Sequence, residues 1–346
     1  MKINAFVLVE LGKPLVHMEL TAPLLASGQV LVKICFTGIC RSQINEIQGF
    51  RGNDPYLPHT LGHEGSGIVL DCGPGVTKVR PGDRVIATWI KGNGLDNAPI
   101  FYWCGEKKIN SGPISTFMDH AIIAENRLIP ISSDIPMREA ALFGCAIPTG
   151  AGIVFNEAKV HPKSTVAVFG VGGIGASAVL AADFERVGQL IAIDREESKL
   201  AFAKELGATH TIDAKSEDVL QSILKITDGK GVDFAIEAVG QKSVMQTAFK
   251  SVKDRGGLCI LAGNVSKGIC IECDPFDFIK GKKMIGSWGG GVQPDRDIPK
   301  FLDRFLKTGK KLESFVSHVL PLRSINEAIH LMDQQKAARI LIDCGN

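Results

Sequence analysis

The chain has 346 residues, of which 45% are apolar and 22% charged, with a formal net charge of +2. That length suggests about two domains with an ordinary globular balance, and the near-neutral charge leaves no electrostatic case for nucleic acid or an anionic membrane surface. No apolar run reaches the roughly 18 residues that cross a bilayer. The first residues, Met1 to Leu11, lack a signal-peptide pattern. Nine scattered cysteines, an odd number, do not resemble a secreted disulfide framework. A cytoplasmic protein is expected, with Cys35, Cys72, Cys259, Cys270, Cys273 and Cys344 as small buried hydrophobes.

From the N-terminus to about residue 146, short β-rich runs alternate with Gly/Pro turns. Met1–Leu11 reads as a strand with Ala5, Val7 and Val9 on one side. Val30–Ile34, Gly67–Leu70 and Val85–Thr88 follow, punctuated by Gly73-Pro-Gly75 and Pro81-Gly-Asp83. Regular short strands of this kind predict a partly closed β-barrel. From 147 to 297 the pattern changes. Thr165–Phe169 is apolar without alternation, as a parallel strand covered on both faces requires. A helix over Ile174–Val187, a strand at Leu190–Ile193, a helix ending at Gly207, and strands at Val232–Ile236 and Leu258–Ala262 complete a doubly wound parallel α/β sheet. The tail, 298–346, carries helical patterns at Pro299–Leu306 and Ile325–Gln334 and a strand at Arg339–Asp343; it is expected to return to the first domain.

Gly170-Val-Gly-Gly-Ile-Gly175 fits the G-x-G-x-x-G spacing and lies between a predicted strand and a predicted helix, the context that gives this pattern meaning. The first glycine allows the tight turn, the second lets a pyrophosphate approach, and the third lets the helix pack closely. Gly170, Gly172, Gly173, Ile174 and Gly175 are therefore candidate cofactor contacts. Asp194 ends the second strand, nineteen residues after Gly175, where a carboxylate binds ribose hydroxyls and repels a 2′-phosphate. NAD is expected over NADP, although Arg195 stands beside it.

Three further segments stand out: Gly38-Ile-Cys-Arg-Ser42, Gly62-His-Glu-Gly65 and Gly144-Cys145. Their spacing alone specifies nothing. Together with the glycine fingerprint, and in this order, they resemble the zinc-dependent alcohol dehydrogenase branch of the medium-chain dehydrogenase/reductase superfamily over nearly the whole chain. The resemblance implies a GroES-like catalytic domain (1–146 and 298–346) and a Rossmann domain (147–297). It implies one catalytic zinc held by Cys40, His63 and Cys145, a ligand set of the alcohol dehydrogenase type. Glu64 would stand beside the metal, Ser42 would take the substrate proton, and Thr149 would touch the nicotinamide. Arg41 and Arg339 would contact the pyrophosphate, and Lys199 the adenosine ribose. The reaction implied is hydride transfer between NAD(H) and a small alcohol or polyol and its carbonyl partner, in a homodimer or homotetramer.

Departures from the family pattern are also legible. Between Trp89 and Thr116 only Cys104 occurs, so a four-cysteine structural zinc site cannot form there; a substituted loop with a free thiol is expected. Gln43 stands where an aspartate often orients the zinc histidine, and Asn45 where some members carry a titrating relay histidine. Trp89 reads equally as a pocket wall or as plain core, and Trp288 as a pocket or subunit-contact residue. His59, His120 and His318 read as surface or internally satisfied histidines. Two competing functions share the fold, a zinc-free quinone or enone reductase and a non-catalytic dinucleotide sensor. The first lacks the ligands and the second has no use for Ser42.

Overall fold

Six parallel strands form the sheet of one compact unit, Ala146–Val292. Across the sheet they run His210–Asp213, Gln189–Asp194, Thr165–Phe169, Phe234–Glu237, Leu258–Leu261 and Lys283–Gly286. In chain order this is 3-2-1-4-5-6, so the direction of winding reverses beside Thr165–Phe169, where open α/β sheets bind ligands at the strands' carboxyl ends. Val166, Ala167, Val168 and Phe169 are at most 2% exposed, which explains their unbroken apolar run. Each fully buried valine there contributes about 1.5–3 kcal/mol relative to exposure. The following helix, Gly173–Phe184, buries nearly its entire length after the first two residues. The helix Glu197–Leu206 ends on Gly207 at φ 115°, a left-handed cap that glycine adopts without steric cost.

The computed structural model describes residues 1–307, 312–334 and 339–345. Its other compact unit joins Met1–Cys145 to Gln293–Asn346. The return thus falls at Gln293, not after 297, because the helix that opens the tail spans Pro294–Lys307 and carries Pro299 inside it. Asp297 accepts the backbone N–H of Gln293 at 2.9 Å and fixes that earlier start. A closed five-stranded barrel is made by Lys2–Leu8, Val16–Thr21, Ile100–Cys104, Lys107–Ser111 and His59–Thr60. Beside it the long strand Gln29–Gly38 pairs with Glu64–Cys72, His120–Ala124 and Ile340–Asp343. The chain's last strand therefore lies in the first domain's sheet.

The stretch expected as a substituted loop is a hairpin, Ile100–Cys104 with Lys107–Ser111. Ile100, Tyr102 and Ile109 point into the core, and the Tyr102 hydroxyl accepts the Ile122 backbone N–H at 2.8 Å. The alternation that makes these strands is short and follows a Gly/Asn/Pro-rich segment that hides it. The cysteine reading needs correction too. Cys259 and Cys344 are buried, Cys35, Cys72 and Cys273 are half-buried, and Cys270 is exposed. No single helix among the described residues is long and apolar enough to cross a membrane.

Candidate active site

The sulfur atoms of Cys40 and Cys145 and a ring nitrogen of His63 lie within 4.8 Å of one another. Tetrahedral zinc, with Zn–S near 2.3 Å and Zn–N near 2.0 Å, needs ligand separations of about 3.5–3.8 Å, so small side-chain adjustments close the set. Cys40 and His63 are half-buried and Cys145 is buried. No fourth His, Cys, Asp or Glu atom joins them among the described residues, which leaves one coordination position open. His63 Nε2 is buried without a hydrogen-bond partner, an omission that costs stability unless something else occupies it. Ser42 Oγ donates to Cys40 Sγ at 3.3 Å, which brings the hydroxyl to the same spot.

Local sequence explains how the ligands converge. Gly62 sits at φ 97°, and a Cβ there would stand 2.3 Å from Thr116 Oγ1; only glycine lets the chain turn so that His63 precedes the strand Glu64–Cys72. Thr37 and Thr116 both donate to the Glu64 carbonyl, at 2.8 and 3.1 Å, anchoring the residue after the histidine. Cys40 immediately precedes the helix Arg41–Ile47, and Cys145 follows the 3₁₀ turn Leu142–Gly144.

Charge is tightly coupled here. The Cys145 thiol donates to Cys40, and this bond with the nearby His63 holds Cys40 well below the usual thiol range despite burial. The donor, Cys145, is correspondingly held well above it. Burial pushes His63 down, but the Cys40 thiolate overrides it and the imidazole rises. Protons thus stand where a dication would stand, and metal uptake would release them. Burial drives the Glu64 carboxyl up against the pull of Arg339. Glu64 is fully buried and ion-paired with Arg339, while its Oε1 has no partner.

Arg339, expected at the pyrophosphate, lies beside Glu64. Its side chain is 6% exposed, and it spends its guanidinium on Glu64 and on the Ile39 carbonyl. Arg41 is exposed and pairs with Asp333 at 3.1 Å. Gln43, which stands where an aspartate often orients the histidine, is 2% exposed, and its Oε1 has no partner, so it accepts no bond from His63. Asn45 is half-buried on the same helix. His59 is internally satisfied, bonded to Asp54 and the Thr60 carbonyl; His120 lies 3.1 Å from Asp119; His318 is exposed. Trp89 is half-buried and Trp288 is 81% exposed.

In the parallel-sheet unit, Gly170 has φ 87°, and a Cβ on Gly175 would stand 1.8 Å from the Gly170 carbonyl oxygen. Gly172, by contrast, faces open space and precedes the helix Gly173–Phe184 with no side-chain cap. Ile174 lies in that helix's first turn. Its free N–H groups and positive dipole end suit a phosphate. Asp194 ends its strand and accepts backbone N–H groups from Val171, Arg195 and Glu196, with Lys199 Nζ 3.8 Å away. Thr149 is buried with an unpartnered Oγ1. Both observations, the open face at Gly172 and the orphaned hydroxyl, fit a dinucleotide. Sequence reasoning missed Glu237 and Val239. Glu237 is fully buried at its strand's carboxyl end and accepts the N–H groups of Val239 and Gly240. A Cβ on Gly170 would meet Val239 at 2.6 Å. An acidic residue closing a predicted parallel strand was the available signal.

Two family models match: an alcohol dehydrogenase GroES-like domain over residues 26–133 and a zinc-binding dehydrogenase domain over residues 173–307. An S-(hydroxymethyl)glutathione dehydrogenase from Synechocystis sp. is 35% identical, covering 99% of this chain and 100% of that protein. The chain belongs to the zinc-dependent alcohol dehydrogenase family. Its solved relatives agree with the fold of this dehydrogenase. An alcohol dehydrogenase zinc-binding domain protein from Burkholderia ambifaria superposes with a TM-score of 0.91 at 27% identity. Benzyl alcohol dehydrogenase from Acinetobacter calcoaceticus gives 0.90 at 28% identity; each structure covers 99% of both chains. The family uses zinc and a nicotinamide cofactor, and the dehydrogenase is an oxidoreductase of that kind.

Proposed function

We propose that this dehydrogenase passes hydride between NAD(H) and the carbinol carbon of a small alcohol, with one zinc per chain held by Cys40, His63 and Cys145. The observation that carries this reading is the open three-ligand set, with an orphaned His63 Nε2 and the Ser42 hydroxyl at its edge. Zinc, when bound, supplies Lewis-acid polarisation of the substrate oxygen, and the nicotinamide supplies the hydride acceptor. Ser42 Oγ takes the alcohol proton, and because Asn45 cannot titrate, that proton leaves through water. Glu64 and Arg339 keep a balanced pair of charges beside the ligands. Thr149 and the Gly170–Gly175 loop hold the cofactor, and the Asp194 carboxylate favours a ribose 2′-hydroxyl over a 2′-phosphate.

The test is a panel read by NADH absorbance, including benzyl alcohol, S-(hydroxymethyl)glutathione, primary and secondary alcohols and polyols, with zinc measured on the same sample. One zinc per chain, turnover with NAD, and loss of turnover in Ser42→Ala support the assignment. Active enzyme without zinc would favour the zinc-free reductase, and a lower KM for NADP than NAD would reject the role given to Asp194. A homodimer is the favoured assembly. Among the described residues the strand Lys283–Gly286 pairs on one side only, with Ile285 exposed and Trp288 just beyond it, and open edges invite pairing. A sedimentation experiment showing only monomer would reject it.

A further inference from the structure

Among the described residues a second group of ligand-type side chains meets in the barrel unit, sharing no member with Cys40, His63 and Cys145. Glu46 and Asp54 each bring a carboxylate oxygen, and His59 a ring nitrogen, within 4.8 Å of one another. They come from the helix Arg41–Ile47, from the stretch after it and from the strand His59–Thr60. All three line a cavity of about 300 Å³, and so does Gln43, one helical turn before Glu46. Gln43 is 2% exposed and its Oε1 has no hydrogen-bond partner. His59 has an oxygen before each ring nitrogen, the Thr60 carbonyl 3.0 Å from Nδ1 and Asp54 Oδ2 2.9 Å from Nε2. Both oxygens are acceptors, and a neutral imidazole brings only one N–H. An Nδ1–H given to a backbone carbonyl turns the lone pair of Nε2 outward, as metal-binding histidines do. Asp54 keeps Oδ2 for the same place, since its Oδ1 takes the Tyr56 backbone N–H at 2.9 Å. Glu46 is half-buried, and its carboxylate makes no hydrogen bond or ion pair among the described residues.

A proton on His59 would answer Asp54 and leave Glu46 unopposed, because no lysine or arginine lines the cavity. A dication answers both carboxylates and gives the Gln43 oxygen a partner. We infer that Glu46, Asp54 and His59, with the Gln43 amide oxygen, bind a metal ion of their own, a divalent cation of the manganese class. Ligands cis to one another on an octahedral ion, each bonded at about 2.1 Å, stand about 3.0 Å apart, and trans ligands about 4.2 Å. The 2.9 Å between Asp54 and His59 is already the cis spacing, and the 4.8 Å limit on the whole group is within small side-chain shifts of the trans one. Three oxygens and one imidazole nitrogen, with no sulfur, suit that class, whereas thiolates suit the zinc of the Cys40 set. The ion ties the stretch 48–58, which carries neither helix nor strand, to the helix before it and the strand after it.

Manganese(II) tests this on the full chain loaded with one equivalent of zinc. Free manganese is followed by electron paramagnetic resonance as the protein is titrated, and zinc is measured on the same sample. One manganese per chain should bind with the zinc retained, and dialysis should remove the manganese alone. Spin-echo modulation from an imidazole nitrogen should accompany binding and vanish in His59→Gln. Glu46→Gln should weaken manganese binding by about tenfold or more, the scale on which partners of metal sites act. Because the Glu46 carboxylate bonds to nothing in the metal-free chain, that variant should melt at the wild-type midpoint without manganese and lose only the rise that manganese gives the wild type. Absence of saturable binding, uptake that expels zinc, a bound ion without nitrogen modulation, or an affinity unmoved in Glu46→Gln would each overturn the inference.

Discussion

Replacing Arg339 by methionine separates two roles for this residue, a counter-ion to Glu64 and a clamp for pyrophosphate. Methionine keeps the volume and removes the charge, so Glu64 is left buried with no cation. Breaking one side of a buried ion pair costs about 3–5 kcal/mol. Unfolding entropy near 2.1 cal/mol/K per residue gives about 0.4 kcal/mol/K if the barrel unit, of about 200 residues, melts alone, and about 0.7 if the whole chain melts together. The melting midpoint should therefore fall by about 4–12 °C. Scanning calorimetry of the metal-free protein measures this directly. The double variant Glu64→Met with Arg339→Met should recover most of the loss, since two well-packed apolar side chains often replace a buried pair at little cost. Zinc should also restore part of the single variant's stability by giving Glu64 a new positive neighbour. A midpoint within 1 °C of wild type, combined with a large rise in KM for NAD, would refute the structural argument and return Arg339 to the pyrophosphate.

Removing a ligand with Cys145→Ala should lower zinc affinity by more than about 100-fold, since even outer partners of metal ligands change it by 10–100-fold; competition with a chromophoric chelator measures it. Glu125 is buried, and although burial pushes its carboxyl up, the N–H groups of Leu95, Lys78 and Thr77 hold it below the usual carboxylate range. Its stabilisation is therefore present above the unfolded pKa and lost as pH falls through the folded one. Glu125→Gln should destabilise the protein at pH 7 and flatten the acid side of its stability–pH curve, as read by urea midpoints. Burial pushes the Cys259 thiol up to about 12, so only about one molecule in 10⁴ is thiolate there at pH 8. Iodoacetamide should label exposed Cys270 rapidly and Cys259 only after unfolding, as peptide mass mapping would show.

The parallel sheet was legible because its strands are buried on both faces, which writes runs such as Thr165–Phe169 directly into the chain. The glycine fingerprint was legible for the same local reason, since a turn, an approach and a close packing each demand a missing side chain. The hairpin Ile100–Ser111 was not, because its alternation is only two or three residues deep on each strand. The metal set could not be read from spacing at all. Cys40, His63 and Cys145 meet through strand pairing and a returning turn, and only resemblance singled them out. Arg339 and Glu64 are 275 residues apart, and nothing local in either announces the other. Glu46 and Gln43 share that fate, since a helix of seven residues gives no sign of what its inner face will meet.

The hairpin that closes the five-stranded barrel has one more consequence. Backbone pairing and the buried ring of Tyr102 hold that segment together. A chelator that strips the ligand set should therefore silence turnover and leave the barrel's far-ultraviolet circular dichroism unchanged, since no strand of that barrel pairs through Cys40, His63 or Cys145.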